Sequence, residues 1–318
     1  MTLPDALQAG IDEVVGAGDR RQLERLAREL SDAYRSGGSP AARAARTEGD
    51  VAAYLATRAP ATFAAAAEVF RQIAVARPGW SPSSILDLGA GPGIAAWAAV
   101  DAWPGIAKVA LREAEPEMVR AGKALAAHGP PALRQAGWTV GDVGGTAAQA
   151  DLVVVSYVIG ELAPLALARF AGHAWSLADD TLAVIEPGTT TGYERVLGAR
   201  AAVIAVGGST LAPCPHDAPC PLPEGDWCHF ATRLARSRAH RLAKGAERGF
   251  EDEKFAYVVL TRSFHPAAAA RVLRRPDLRP GHVVLDLCTE RGLERRTVSK
   301  RDGADYRTAR KVAWGETL

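Results

Sequence analysis

The chain has 318 residues, of which 48% are hydrophobic and 23% are charged, and its formal net charge is +2. This is the composition of a globular protein, and the length allows one large domain with appendages or two domains. The N-terminus carries acidic residues, and no stretch approaches the ~18 consecutive apolar residues of a membrane span, so we expect no signal peptide, no membrane partner and a cytoplasmic location.

Residues 1–80 predict a helical N-terminal region. The stretch at 20–35, RRQLERLARELSDAYR, repeats apolar side chains at the spacing of one helix face. Glycine and proline at 35–40 predict a break. A further alanine-rich helix is expected over residues 59–76.

From residue 81 onward, strands, glycine turns and helices alternate. Four short β-rich runs, SILDLG, KVALRE, DLVVVSY and TLAVIEPG, are separated by helical intervals. This alternation is typical of a parallel sheet with crossover helices. We therefore expect an α/β, Rossmann-like core whose first part covers residues 81–212.

The last third of the chain is basic. Residues 229–318 contain 20 Lys and Arg against 11 Asp and Glu, a balance of +9, whereas residues 1–228 have a balance of −7. This asymmetry favours a polyanionic partner, and a solvated basic face without a partner is the alternative. We assign residues 213–264 to a cysteine loop, a basic helix and the final core strand. We assign residues 265–318 to a small, basic, β-rich C-terminal domain with a hairpin at 290–292.

The segment ILDLGAGPG, residues 85–93, predicts a cofactor loop. Its glycines allow a tight turn that brings backbone against a ligand before the next helix begins. Glu113 ends the next strand, where a carboxylate can hold a ribose diol, and Asp142 is placed to reach an adenine amine. The pattern resembles that of class I S-adenosylmethionine-dependent methyltransferases, and a nicotinamide-binding turn is the alternative. The predicted cofactor-binding residues are Asp87, Gly89, Gly91, Gly93, Glu113 and Asp142.

The segment after the fourth core strand does not predict catalytic residues. Enzymes that methylate exocyclic amines of bases usually carry an Asn/Asp-Pro-Pro-aromatic segment there. This chain has Ser156, Tyr157, Val158 and Ile159, with no cysteine to attack a pyrimidine ring and no evident general base. The sequence predicts a cofactor pocket without assigned catalytic residues.

The four cysteines predict one metal site, with the spacing C-x5-C-x7-C-x59-C. Structural zinc sites more often contain C-x2-C pairs, whereas a [4Fe–4S] cluster takes ligands from several directions. His216 and His229 could complete a zinc site, so the spacing leaves iron–sulfur and zinc open. Two disulfides or four unrelated buried thiols are the remaining alternatives. The predicted metal ligands are Cys214, Cys220, Cys228 and Cys288.

Three further stretches carry a more specific resemblance: APCPHDAPCPLPEGDWCHF, EDEKFAY and HVVLDLCTERGLERRTVSKRDGADYRTARKVAWGE. Over about residues 80–318 the chain resembles the methyltransferase-like proteins associated with the mitochondrial small ribosomal subunit, in their bacterial branch. The resemblance implies a class I methyltransferase fold and a [4Fe–4S] cluster on the four cysteines. It also implies a role in small-subunit maturation through binding of rRNA.

These observations define two function classes. The first is an assembly or translation factor that binds S-adenosylmethionine, a [4Fe–4S] cluster and the rRNA of the small subunit or its precursor particle, and that is a monomer when free. The second is an active RNA methyltransferase with the cluster as a structural staple; a zinc-containing small-molecule methyltransferase is a further alternative. A radical enzyme is disfavoured, since it leaves one iron open and commonly uses a C-x3-C-x2-C motif.

The rRNA-binding prediction rests on two basic clusters. A helix over residues 233–244 would carry one cluster on one broad side, where it would meet phosphates by charge. The second cluster begins at residue 300. The predicted RNA-binding residues are Arg233, Arg236, Arg241, Lys244, Lys300 and Arg301.

Overall fold

The N-terminal region is helical, as its periodicity predicts. The computed structural model describes residues 1–16, 20–35, 47–237, 240–241, 248–263 and 265–318, so most of the predicted break at 35–40 lies outside it. In the described residues no helix is long and apolar enough to span a bilayer. The first helices are α1 (Asp5–Gly16), α2 (Arg20–Arg35), α3 (Glu48–Thr57) and α4 (Ala59–Ala76).

The core alternates strands and helices in the predicted manner, and the four β-rich runs correspond to β1, β2, β4 and β5. The elements are β1 (Ser84–Leu88), α5 (Ile94–Ala102), β2 (Lys108–Glu113), α6 (Pro116–Ala127), α7 (Pro131–Arg134), β3 (Gly137–Val140), β4 (Ala150–Ser156), a 3-10 turn (Ile159–Glu161), α8 (Pro164–Leu177), β5 (Ala178–Pro187), α9 (Thr190–Ile204), β6 (Ser209–Ala212), β7 (Phe230–Ala235) and β8 (Phe250–Thr261).

The described strands of the core form one mixed sheet in the order β3-β2-β1-β4-β5-β8-β6, and β7 pairs with the first half of β8. Strands β1 to β5 are parallel, whereas β8 is antiparallel to β5 and to β6. The chain reverses its direction of travel across the sheet between β1 and β4, which is where doubly wound folds bind ligands. This is the Rossmann-like methyltransferase fold, and the predicted fold class is confirmed.

The N-terminal helices share the core of the sheet. Successive residues of β1 point to opposite faces, so that Ile85 is buried on one face and Leu86 on the other. Phe63 and Phe70 of α4 are fully buried against the face that contains Ile85 and Phe255. Helices α8 and α9 cover the opposite face. The predicted helical region is therefore one layer of the α/β fold.

The C-terminal part is a small antiparallel sheet with its own apolar core. Its strands are arranged β10-β11-β12, and β9 also pairs with β11. Thr289 of β11 is opposite Gly292 of β12, which is the predicted hairpin. The elements are β9 (Ala270–Val272), β10 (Asp277–Arg279), β11 (His282–Thr289), β12 (Gly292–Ser299), a 3-10 turn (Lys300–Asp302) and α10 (Ala304–Ala309).

The predicted basic helix over residues 233–244 begins as a strand. Arg233 lies in β7, where it is paired with Asp252 of β8. Pairing with β8 gives β7 its backbone hydrogen bonds and buries Phe230 and Leu234, and this tertiary gain outweighs the helix propensity of an Arg- and Ala-rich segment. Lys244 lies outside the described residues.

Candidate functional site

The carboxyl ends of β1 and β2 bring the predicted cofactor residues together. The carboxylate of Glu113 accepts hydrogen bonds from the backbone N–H of Gly91 (2.7 Å) and of Glu115 (2.9 Å). The acid at the end of β2 therefore holds the glycine turn that follows β1. Such a crevice at the carboxyl edge of a parallel sheet is where nucleotide-containing cofactors bind.

Two glycines of the loop have different surroundings. Gly89 has φ +72°, and a Cβ built on it would lie 2.4 Å from Cγ2 of Val158, so this position must remain glycine. Gly91 has φ +53°, and a Cβ built there would have only the Tyr54 hydroxyl nearby, at 4.0 Å. The loop is closed against the end of β4 at Gly89 and is open at Gly91.

Asp87 is the buried acid of the crevice. Its side chain is 1% exposed, and neither of its carboxylate oxygens has a well-formed hydrogen bond to the described residues. Burial raises the pKa of Asp87 to about 7, and the nearby negative charge of Glu113 adds to the shift.

Asp142 lies in the loop after β3. Its Oδ1 accepts the N–H of Gly144 at 2.8 Å. Arg112 holds the same loop by donating to the carbonyl oxygens of Asp142 (3.1 Å) and Thr146 (2.5 Å). The sequence predicted Asp142 as a site residue but not the role of Arg112, which lies 30 positions earlier in β2.

The end of β4 carries a polar cluster that sequence reasoning missed. Tyr157 has φ +61°, which non-glycine residues rarely adopt and which is found mostly at functional sites. Its hydroxyl donates to Glu253 Oε1 at 3.2 Å, and Arg58 donates to the same oxygen at 3.2 Å. The three residues come from β4, β8 and the junction of α3 with α4. No local sequence signal connects them.

The four predicted metal ligands line one pocket. Cys214, Cys220 and Cys228 come from the loop between β6 and β7, and Cys288 comes from β11 of the small sheet. All four cysteines are described, and none forms a disulfide. Within the described part of the chain, no three or more His, Cys, Asp or Glu side chains are already arranged to hold a metal ion. The pocket therefore gathers the thiols without fixing a coordination geometry.

Three thiols of this pocket have raised pKa values. Burial raises the pKa of Cys214, of Cys228 and of Cys288, the last to about 12. The mutual repulsion of the thiolates raises these pKa values further, whereas Arg200 and Arg271 lower those of Cys214 and Cys288. A cation bound beside these three thiols would favour their deprotonation.

Of the two histidines considered as ligands, one lies at the thiols. Nε2 of His216 is 3.5 Å from Sγ of Cys288. The ring of His229 instead stacks on Trp227, with centroids 5.2 Å apart, and meets the edge of Trp314 at 5.1 Å. His216 is thus the histidine available for a zinc site, and His229 belongs to an aromatic row beside Cys228.

The predicted RNA-binding residues fall into two groups. Arg233 forms a two-pronged ion pair with Asp252 (2.7 and 3.0 Å), and Arg236 forms one with Glu251 (3.2 and 2.8 Å). Arg241 is exposed. Lys300 and Arg301 are also exposed and form no ion pair with a described carboxylate. The acids of EDEKFAY thus neutralise the first part of the basic run, which only the β7–β8 pairing reveals.

Known proteins with similar sequences have names that include the word mitochondrial. The human "Ribosome assembly protein METTL17, mitochondrial" is 29% identical over 293 residues, which cover 86% of this chain and 63% of the relative. The "Rsm22-cox11 tandem protein 2, mitochondrial" of Schizosaccharomyces pombe is 25% identical over 324 residues, covering 85% and 43%. The chain thus spans less than two thirds of the length of these relatives.

Solved structures resemble part of the chain. The magnesium protoporphyrin IX methyltransferase of Synechocystis PCC 6803 with bound SAM has a TM-score of 0.43 and 16% identity, over 64% of this chain and 80% of that one. The family model described as "Mitochondrial small ribosomal subunit Rsm22" matches residues 48–318, which includes α3 and α4 and so begins well before the predicted limit near residue 80. Since this match covers far more than half of its length, the chain belongs to the Rsm22 family.

Proposed function

We propose that this protein is an S-adenosylmethionine-binding, metal-containing, methyltransferase-like factor that acts on the small ribosomal subunit by binding its rRNA or a precursor particle. The observation that carries the proposal is that the C-terminal part combines exposed cations, Lys300 and Arg301 in the 3-10 turn after β12, with Cys288 of β11 in the thiol pocket. The names of the relatives, which refer to ribosome assembly and to Rsm22, support the same partner.

The metal centre is the part of the proposal that rests on donor chemistry. Four soft thiols reach one pocket from two parts of the fold, which fits a [4Fe–4S] cluster held by Cys214, Cys220, Cys228 and Cys288. Zinc is the alternative, and His216 beside Cys288 supports it. A metal bound there supplies metal–thiolate bonds that form only in the folded chain and therefore add to its stability.

The cofactor part rests on the crevice. The open backbone at Gly91 supports close approach of the methionine portion of S-adenosylmethionine. Glu113 keeps the loop in place through Gly91, and Asp142 remains the proposed contact to the adenine. In an assembly factor, the bound cofactor would support partner binding or folding. In an enzyme, it would donate the methyl group.

The rRNA surface that we favour is the exposed cluster around Lys300 and Arg301. Arg307, Arg310 and Lys311 continue it along α10 and beyond, and all are exposed. Cations without a carboxylate partner are available to phosphates, whereas Arg233 must first give up a bidentate ion pair with Asp252, and Arg236 its two hydrogen bonds to one oxygen of Glu251. Arg241 and Lys244 stay candidates for the same role.

The proposal is tested by binding of the anaerobically purified protein to small-subunit particles and to their rRNA. We expect association that weakens steeply with salt, together with about four irons per chain. Colourless protein with one equivalent of zinc would show that the metal is zinc and not a [4Fe–4S] cluster. Absence of binding to particles and rRNA at low salt would reject the ribosomal role.

Catalysis of RNA methylation is the second candidate, and the conformation of Tyr157 favours it. A residue with positive φ at the end of β4, with its hydroxyl on Glu253, lies where a substrate base would enter beside the cofactor crevice. Incubation of rRNA particles with labelled S-adenosylmethionine tests this candidate. Label transfer that Tyr157→Phe reduces, with particle binding unchanged, would establish an enzyme.

A further inference from the structure

Two buried arginines line the thiol pocket, and neither forms an ion pair with a carboxylate of the described residues. Arg200 on α9 is 5% exposed and Arg271 on β9 is 3% exposed. The buried ion pairs of the described residues involve other arginines, for example Arg58 with Glu253. A guanidinium remains charged at any accessible pH, and a buried charge is strongly unfavourable unless an opposite charge balances it. A negative charge within the pocket would balance both arginines, since Asp217, which shares Thr210 with Arg200 as a hydrogen-bond partner, accepts the N–H of Thr210 (2.8 Å) rather than a guanidinium N–H.

Their hydrogen bonds orient them around the cysteine loop. Arg271 donates to the carbonyl oxygen of Pro213 (2.8 Å), and Arg200 donates to that of His216 (2.5 Å), so that the two carbonyls bracket Cys214. Every other acceptor is also neutral: Thr210 Oγ1 (3.1 Å) for Arg200, and Gln72 Oε1 (2.6 Å) and the Gly315 carbonyl (2.6 Å) for Arg271.

Strand pairing brings Arg271 next to the fourth thiol. In the antiparallel pairing of β9 with β11, Arg271 is directly opposite Cys288. Directly opposite residues have Cβ atoms roughly 4.5–5.5 Å apart and project to the same face of the sheet. Arg200 reaches the same pocket from the methyltransferase core. One cation thus comes from each of the two parts of the fold that supply cysteines.

We propose that Arg200 and Arg271 are the counter-cations of a four-thiolate metal centre, and that the pocket is built for a centre with a net charge of about −2. The inference rests on the metal centre of the proposed function. Four thiolates with a [4Fe–4S] core of two positive charges, or with one zinc ion, carry a net charge of about −2, which two guanidiniums balance. Both arginines act as positioning residues: they hold the cysteine loop by hydrogen bonds and compensate the negative charge of the metal centre.

The test compares Arg200→Gln and Arg271→Gln with Arg200→Lys and Arg271→Lys in the anaerobically loaded protein. The readouts are metal affinity in competition with a chelator, the midpoint potential if the centre is redox-active, and the melting temperature before and after the metal is removed. Arg195→Gln is the matched control, because Arg195 lies on α9, donates to the backbone carbonyls of Ile159 and Leu162, and does not line the pocket.

We expect each Gln variant to bind metal about 10- to 100-fold more weakly, as is typical for residues that support metal ligands. The Lys variants retain most of the affinity, because they keep the charge. Loss of a cation also moves the midpoint potential to more negative values. In the metal-loaded protein, we expect the Gln variants to melt at a lower temperature than wild type. After the metal is removed, we expect the difference from wild type to be smaller or reversed, because wild type then contains buried guanidinium charges that no metal centre balances.

Three results would overturn the inference. These are Gln variants with wild-type metal affinity, equal losses of melting temperature in loaded and stripped protein, and Lys variants that lose metal as strongly as Gln variants. If the Gln variants do not fold, the Lys variants alone decide between charge and hydrogen bonding. A wild-type chain that takes up neither iron nor zinc rejects the metal centre together with this inference. A loaded wild type with unaffected variants rejects the inference alone.

Discussion

Two glycines of the loop at residues 85–93 differ in the space that surrounds them. Gly89 is closed in by Val158, whereas Gly91 has open space in front of it. Both have positive φ, so any side chain at either position adds strain. The open space at Gly91 is what a cofactor would use.

Gly91→Arg should abolish S-adenosylmethionine binding, because the side chain fills the crevice. We expect at least a 100-fold loss of affinity in calorimetry, on the order of 3 kcal/mol, with metal content unchanged. Gly207→Arg is the control, since Gly207 also has positive φ and open surroundings but lies after α9. Absence of binding by the wild type would instead indicate a pseudo-enzyme with an unused crevice.

Single elements are joined by polar contacts that no local pattern predicts. Arg77, at the end of α4, donates to Asp180 of β5 and to Thr261 of β8. Ser263 and Thr181 also donate to the Asp180 carboxylate. These contacts fasten the N-terminal helical layer to the sheet.

Burial alone would raise the pKa of Asp180, but the hydrogen bonds from Arg77, Ser263 and Thr181 prevail and lower it to about 2, from an ordinary value of 3.8. A depressed pKa means that the carboxylate stabilises the fold fully above about pH 4, and that this contribution is lost as the pH falls toward 2.

Asp180→Asn should lower the free energy of unfolding by about 1 kcal/mol at pH 7, after allowing for solvent screening. The difference from wild type should shrink between pH 4 and 2 in denaturant titrations. Asp179→Asn, at an exposed neighbour, should behave like wild type throughout, and a constant difference would refute the assignment.

Strand β11 couples the C-terminal sheet to the cysteine loop. Cys288→Ser should lose the metal and loosen residues 265–318, because one of the bonds that join the sheet to the loop is removed. Amide hydrogen exchange in β9 and β11 should rise to the level of metal-stripped wild type, while β1 and β4 stay protected. Retention of metal by the variant would show that Cys288 is not a ligand.

The whole molecule is divided by charge. Residues 265–318 contribute +5 of the balance of +9 in residues 229–318, with 12 Lys and Arg against 7 Asp and Glu. Their exposed cations around Lys300 and Arg301 form no ion pair with a described carboxylate. A phosphate backbone is attracted to such a surface over several ångströms and with little sequence discrimination.

Replacing Lys300 and Arg301 together by Gln should reduce the slope of log K against log salt by up to ~2 for rRNA binding. Binding to many RNA sequences should weaken alike. Replacing Arg233 and Arg236 by Gln is the comparison, and we expect a smaller change because their partners are Asp252 and Glu251. A larger effect of the second pair would move the RNA interface to β7 and β8.

The sequence by itself determined the α/β class, four of the core strands, the glycine loop and the hairpin of the C-terminal sheet. Each of these features depends on local hydrophobic periodicity or on the φ preferences of glycine, and both act within a few residues. The number and clustering of the cysteines singled out the four proposed ligands, and their spacing left the metal open; the family resemblance implied a [4Fe–4S] cluster. The cytoplasmic location and the monomeric state stay predictions.

The tertiary structure alone decided which residues surround these features. Residues 230–235 form strand β7 because pairing with β8 satisfies their backbone hydrogen bonds and buries their apolar side chains. The same pairing places Asp252 and Glu251 against Arg233 and Arg236. Arg200 and Arg271 are separated by 70 residues in sequence, and only the packing of the small sheet on the core brings them to the thiols. Such contacts depend on long-range packing, which a local pattern does not encode.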